Sequence, residues 1–229
     1  MSKSKSYIFK ERDGELAFVG DFDGYYRDSD DPWEQSANAQ MGRYYQLSRA
    51  RLLTLAATSP NLGRILEVGC GHGHVTRLIA ERFAGSEVCG LDISSVAIAG
   101  ARQRYPQLPF FCANIGASPL PPALSSQRFG LVILNQLLWY ILDDLPQVLA
   151  NVRTLLASDG RLLISNAFAR EQRYGTAIID HFDGAVRYVR QAPGYRLLQA
   201  RFDDDGEEHD DGHLLLAVTS DTHFRSTNQ

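Results

Sequence analysis

Cysteine is scarce in this chain. Cys70, Cys89 and Cys112 are the three it has, and no two of them form a Cys-x-x-Cys pair. That argues against a zinc ribbon or a redox dithiol, and the odd count fits reduced, buried thiols. Long apolar runs are missing as well: nothing approaches the roughly 18 residues of a membrane span. Met1–Ser6 is polar and no apolar stretch follows it, so the expectation is a cytoplasmic protein with no membrane partner. There is no basic excess either. The chain has 27 acids against 23 bases, a net charge of −4, and its long charge run, Asp203–Asp211, is acidic. A nucleic-acid binder usually carries a basic face, so nucleic acid is not an expected partner.

What is present is a chain of 229 residues at 44% hydrophobic content, enough for one sizeable core. Its start reads as a hairpin, Tyr7–Lys10 and Glu15–Val19 flanking Asp13-Gly14, a pair suited to a type I′ turn. An acidic, aromatic stretch, Asp21–Trp33, follows, and then a helix over Gln40–Ala56. The spacing Asp21-Phe22-Asp23-Gly24 does not fit a calcium loop, whose glycine stands at position 6. From Arg64 short apolar strands alternate with amphipathic helices. The strands are Ile65–Val68, Val88–Leu91, Phe110–Cys112, Leu131–Leu134 and Leu162–Ile164. Helical stripes run through Val75–Phe83, Val96–Tyr105 and Leu145–Leu156, the last ended by Ser158-Asp159-Gly160. This alternation predicts an α/β, doubly wound, mostly parallel sheet. After a helix over Ile178–Val189, Tyr195–Phe202 and His213–Thr219 follow one another with no helix between, so the seven-stranded sheet should end in an antiparallel hairpin across the connection Asp203–Gly212. The expected organisation is an N-terminal hairpin and helical cap over 1–60 and a ligand-binding α/β unit over 61–229, in one structural domain.

The strongest chemical signal is Glu67-Val68-Gly69-Cys70-Gly71-His72-Gly73-His74, between a strand and a helix. A ligand meets an open α/β sheet at that end, and glycines let the backbone approach it without Cβ clashes. About twenty residues on, Asp92 ends the second strand, where a carboxylate can hold both ribose hydroxyls. Loop and acid together point to an adenine-nucleoside cofactor. A dinucleotide fingerprint, G-x-G-x-x-G, would need its third glycine at 74, which is His74.

The spacing E-x-G-x-G-x-G resembles motif I of class I S-adenosylmethionine (SAM)-dependent methyltransferases, and the resemblance extends over Arg64–Thr219. It implies the Rossmann-like methyltransferase fold with its closing antiparallel hairpin, and SAM as cofactor. It also implies roles by position. Glu67, Gly69, Gly71 and Gly73 form the cofactor loop, Asp92 and Ile93 follow the second strand, and Asn114 and Ile115 end the third, with Asn114 standing where many members have Asp. Asn135 and Gln136, before Leu137–Asp144, resemble the post-strand-four segment of nodulation-type N-methyltransferases, with Gln136 where those often have an acid. Asp31-Pro32-Trp33 resembles the cap placed over the cofactor, and the run Gly20–Tyr26 resembles methyltransferases associated with bacterial surface saccharides.

The resemblance implies methyl transfer to a small-molecule acceptor, an amine or hydroxyl of a sugar or saccharide-linked metabolite. A hydroxyl nucleophile usually needs a general base. The candidates are His181, Asp183, Tyr140 and Tyr174, with His181 preferred and Tyr140 lining the acceptor pocket. No metal is expected: His72 and His74 read as loop and helix-start residues, and His209 and His213 as neighbours of a solvated acidic connection. The N-terminal hairpin offers a surface for a homodimer. Two other readings stand beside this one, an NAD-dependent oxidoreductase or epimerase and a non-catalytic SAM-binding protein. His74 weighs against the first, and an open acceptor cavity would weigh against the second. DNA-base methylation would call for an Asn/Asp-Pro-Pro-aromatic motif, which Asn135-Gln136-Leu137-Leu138 does not supply.

Overall fold

In a computed structural model of the protein, residues 6–35, 41–204 and 209–219 are described. The opening hairpin pairs β1 (Phe9–Arg12) with β2 (Glu15–Phe18) through Arg12↔Glu15. Asp13 and Gly14 both have positive φ (53° and 85°), as a type I′ turn requires. The acidic stretch after it holds a helix that the sequence reading lacked, α1 (Phe22–Asp28). Asp21 caps it, accepting from the Gly24 amide at 2.8 Å. Gly24 is needed there, since a Cβ would lie 2.4 Å from the Asp21 carboxylate. Next is α2 (Gly42–Ala56); the expected first turn from Gln40 lies outside the described residues.

The alternating region follows as expected: β3 (Arg64–Val68), α3 (His74–Arg82), β4 (Glu87–Asp92), α4 (Ser95–Arg104), β5 (Phe110–Cys112), a short α5 (Pro122–Ser125), β6 (Phe129–Asn135), α6 (Leu145–Leu155) and β7 (Leu156–Ala169). Then come α7 (His181–Gln191), β8 (Tyr195–Asp203) and β9 (His209–Val218). The seven strands lie in the order β5-β4-β3-β6-β7-β9-β8, with β9 antiparallel to both neighbours. Alternation along the strands splits the core in two. Leu66, Val132 and Leu134 face α6 through Val148 and Val152. Ile65, Ile133, Leu163 and Leu215 face α2 and α3 through Leu52, Leu55, Val75 and Ile79. Each such fully buried aliphatic side chain contributes about 1.5–3 kcal/mol of transfer free energy.

Two boundaries differ from the sequence reading. Ser158-Asp159-Gly160 does not end a helix; it lies inside β7, where the pairing with β6 shifts between Phe129 and Leu131. The backbone is so close at this irregularity that a Cβ on Gly160 would lie 3.0 Å from the Phe129 carbonyl. The second difference concerns the acidic connection. Residues 205–208 lie outside the described residues, but β9 already begins at His209. Asp211 is therefore not solvated: it is a strand residue with no exposed surface, paired opposite Ala167.

Candidate active site

The glycine loop is folded by the strand beside it. The Gly69 and Cys70 amides donate to the Leu91 carbonyl at 2.8 and 3.1 Å, drawing the loop over the carboxyl end of β4. All three loop glycines have positive φ, which a side chain would strain. They do different work. A Cβ on Gly69 would sit 3.2 Å from the Asn135 carbonyl, and one on Gly71 2.4 Å from the Tyr26 hydroxyl. Gly73 faces the other way: it caps α3 and abuts the Phe110 ring, where a Cβ would come within 2.7 Å. Glu67, Gly69, Gly71, Asp92, Ile93, Asn114, Ile115, Asn135, Trp33 and Tyr140 all line one cavity of about 470 Å³; of the expected cofactor residues Gly73 does not.

Asp92 is 8% exposed and accepts from the Gly71 amide at 2.8 Å and the Ser94 amide at 2.9 Å. Burial raises its pKa, and those two amides oppose the rise. Next to it Ile93 is a large apolar side chain left 49% exposed, facing the cavity. The Asn114 carbonyl oxygen already accepts from the Gly116 amide at 2.8 Å and keeps a second lone pair. Glu67 is fully buried; Thr76 donates to one of its oxygens and Asn135 to the other at 2.8 Å. Burial pushes the Glu67 carboxyl up to about 7 against those two hydrogen bonds.

Residues from the two N-terminal helices complete the cavity. From α1, Tyr26 lies on the glycine loop, accepts from the Trp33 indole at 2.9 Å and meets the His72 ring edge-on. Asp23, one turn earlier, accepts from the Ser94 and Ser95 hydroxyls (2.6 and 3.0 Å) and the Val96 amide (3.3 Å), which fastens α1 to the start of α4. The Ser94 hydroxyl holds its carboxyl below the usual range. From α2, Ser48 and Arg49 line the cavity. Arg49 stacks on the Tyr45 ring and donates to the Gln35 side chain, while its Nε is buried without a hydrogen-bond partner. The sequence signal for these was present, an amphipathic helix with an arginine and a serine on its inner face, but nothing in the pattern said which face met the loop.

The structure does not bring the expected bases together. His181 does not line the cavity; it is exposed at the start of α7, bound to Asp180 and near the Arg170 carbonyl. The Asp180 carboxylate raises its pKa. His181 comes 12 residues after the end of β7 and opens α7, which packs on β7 and β8 rather than over the cavity. Asp183 is exposed beside it. Tyr174 packs on Phe9 and Phe18 rather than on the cavity. Tyr140 does line the cavity, within an aromatic group with Phe9, Phe18, Phe22 and Trp33. Burial pushes its phenol far above the usual range, so it stays neutral. Among the described residues no three His, Cys, Asp or Glu gather as a metal site, and no helix is long and apolar enough to cross a membrane.

Comparison with known proteins gives a matching pattern. A family model described as "Methyltransferase domain" matches residues 66–162. A trans-aconitate 2-methyltransferase of Variovorax paradoxus is 31% identical over 138 residues, 59% of this chain and 51% of that protein. A malonyl-[acyl-carrier protein] O-methyltransferase of Bacillus anthracis is 31% identical over 135 residues, 58% and 47% of the two chains. The chain thus spans about half the length of the curated relatives it matches. Among solved structures, the N-methyltransferase NodS of Bradyrhizobium japonicum in complex with S-adenosylhomocysteine (SAH) aligns with a TM-score of 0.67 over 84% of this chain and 94% of that one, at 17% identity. The magnesium protoporphyrin IX methyltransferase of Synechocystis with bound SAH aligns with a TM-score of 0.63 over 86% and 96%, at 14% identity. At these identities the structural likeness is one of fold.

Proposed function

We propose that this chain, whose residues 66–162 match a methyltransferase domain, is a class I SAM-dependent methyltransferase that transfers a methyl group from SAM to a small-molecule acceptor, an amine or hydroxyl of a sugar or saccharide-linked metabolite. The observation that carries the reading is the loop Gly69–Gly73 drawn over Asp92 at the mouth of a cavity too large to be a packing void.

The residues present fit such a cofactor. Gly69 and Gly71 line the cavity with bare backbone, which a cofactor can approach closely. Asp92 would hold the ribose hydroxyls, and Ile93 and Ile115 would flank the adenine, whose amino group Asn114 would accept. The unpartnered Nε of Arg49 would find its partner in the cofactor's carboxylate. When bound, SAM supplies a methyl group on a cationic sulfur, a good leaving group. The protein's part is then to align the acceptor, exclude water and take up a proton. The aromatic wall of Trp33 and Tyr140 would exclude water, under the N-terminal hairpin.

The curated relatives are named a trans-aconitate 2-methyltransferase and a malonyl-[acyl-carrier protein] O-methyltransferase, whereas NodS is named an N-methyltransferase. The amine or hydroxyl acceptor is favoured by the aromatic lining and by Asp30, Asp31 and Asp144 on the cavity wall. The test is SAH formation from SAM with D-glucosamine and related amino sugars offered as acceptors. Acceptor-dependent SAH supports the reading; SAH formed with trans-aconitate alone redirects it to carboxylates.

A further inference from the structure

Behind the cavity, between α2 and β9, lies a buried polar group that the methyl-transfer reading has not used. At its centre is Asp211, with no exposed surface. Arg51 Nη1 donates to its Oδ2 at 3.1 Å. Its other oxygen, Oδ1, accepts from the Ser48 hydroxyl at 2.9 Å and the Tyr44 hydroxyl at 3.1 Å. The His213 ring, also fully buried, lies with Nδ1 3.8 Å from Oδ2. Of the residues around Asp211, Ser48 is the one that also lines the cavity.

The donor–acceptor count fixes how Ser48 must point. An ionised carboxylate only accepts, so the single Ser48 proton is committed to Asp211. Two lone pairs remain. One faces Gln136 Nε2 at 3.4 Å; that amide is itself fixed, its Oε1 accepting from the Ala167 amide at 2.9 Å. The other lone pair is left for whatever enters the cavity. The neighbouring N–H groups point elsewhere: the Trp33 indole donates to Tyr26, the Trp139 indole to the Ala167 carbonyl, and the Asn166 amide to the same carbonyl. Beside Ser48 the remaining donor on the cavity wall is Arg49 Nε, which the cofactor's carboxylate would take.

Building on the methyltransferase reading, we propose that Ser48 is the residue that binds the acceptor's nucleophilic N–H or O–H and takes its proton, with buried Asp211 positioning it from behind. As the bond from nitrogen or oxygen to the methyl carbon forms, the methyl–sulfur bond breaks and its electron pair stays on sulfur. The acceptor's proton passes to Ser48 Oγ, and the Ser48 proton passes to Asp211 Oδ1. After product leaves, the proton returns through Ser48 to water in the open cavity. The same arrangement sets specificity. A carboxylate acceptor has no proton to donate at neutral pH and would face a lone pair, so the site selects amines and hydroxyls.

The experiment uses the full-length protein in two assays. Calorimetric titration with SAH measures cofactor binding, and SAH formation from SAM measures turnover. The acceptors offered are D-glucosamine, N-acetyl-D-glucosamine and ethanolamine, against trans-aconitate and malonate. The expected result is turnover of an amine or hydroxyl member at least about tenfold faster than either carboxylate. Ser48→Ala should lower it by about 100-fold, with SAH affinity within about threefold of wild type, a margin under 0.7 kcal/mol. Ser48→Thr, which keeps a hydroxyl, should restore most of the rate, as a purely structural role would not require. Asp211→Asn should cost a similar factor in kcat; if it fails to fold because Arg51 loses this carboxylate, the two Ser48 variants still decide. Faster turnover of a carboxylate, turnover that survives Ser48→Ala, or no turnover of any amine or hydroxyl member would overturn the proposal. Absence of SAH binding to the wild-type protein would instead overturn the methyltransferase reading on which it rests.

Discussion

The amide of Gly71 and the carboxylate of Asp92, 21 residues apart in the chain, lie 2.8 Å from one another. That hydrogen bond joins the loop after β3 to the end of β4 and holds one oxygen of a nearly buried acid toward the loop. With the Ser94 amide on the other oxygen, Asp92 is oriented before any ligand arrives. Preorganisation of this kind spares the ordering cost of binding.

Removing the Asp92 carboxylate should therefore be costly for the cofactor. Asp92→Ala is expected to weaken SAM binding by about 1–3 kcal/mol through lost charge-assisted hydrogen bonds. Calorimetry on the folded variant measures this, and unchanged affinity rules out the ribose role.

Gly71 makes a sharper prediction, because the obstacle is identified. A Cβ there would lie 2.4 Å from the Tyr26 hydroxyl, on a backbone with φ of +52°. Gly71→Val should weaken SAH binding by at least tenfold, about 1.4 kcal/mol, with a near-native far-UV spectrum. Adding Tyr26→Phe should recover part of the loss by removing the clashing oxygen. A Gly71→Val protein that binds SAH normally would mean that the loop is not the cradle.

Arg49 should distinguish the two ends of the cofactor. Arg49→Ala should cost about 1.5–3 kcal/mol of SAH binding, the range for hydrogen bonds to charged groups. Binding of 5′-methylthioadenosine, which has no carboxylate, should be unchanged. Equal losses for both ligands would show that Arg49 acts through the fold instead.

Glu67 gives a pH signature. Its ordinary pKa is 4.5 and burial lifts the folded value to about 7, so the folded chain keeps a proton that the unfolded chain has lost. The stability it contributes is complete below pH 4.5 and fades as pH rises towards 7. Relative to Glu67→Gln, the Tm of the wild-type protein without cofactor should fall across that window. A constant difference in Tm would contradict the burial argument.

The sheet was legible because its strands are short apolar runs of the kind a parallel sheet buries, as in Leu131–Leu134, and because the glycine loop and Asp92 carry their meaning in spacing alone. Other features depend on contacts between distant segments. Asp23 stands in a stretch whose acids and glycine look irregular, and only the docking of α1 on α4 gives it work. Asp211 read as one more solvated acid in a charged run, yet the register of β9 against β7 puts it inside, and its partner Arg51, 160 residues away in the chain, is found only once α2 is laid on β9. His181 illustrates the opposite error. Its place after the fifth parallel strand suggested an inward role, but it opens α7, which packs on β7 and β8 and leaves it exposed.

The most direct test of the central claim is parallel calorimetric titration of the purified protein with SAM, SAH and NAD. The account predicts micromolar binding of SAM and SAH and none of NAD, since His74 opens α3 where a dinucleotide loop needs glycine. Binding of NAD, or no binding of SAM and SAH, would contradict the assignment of the loop and the mechanism built on it.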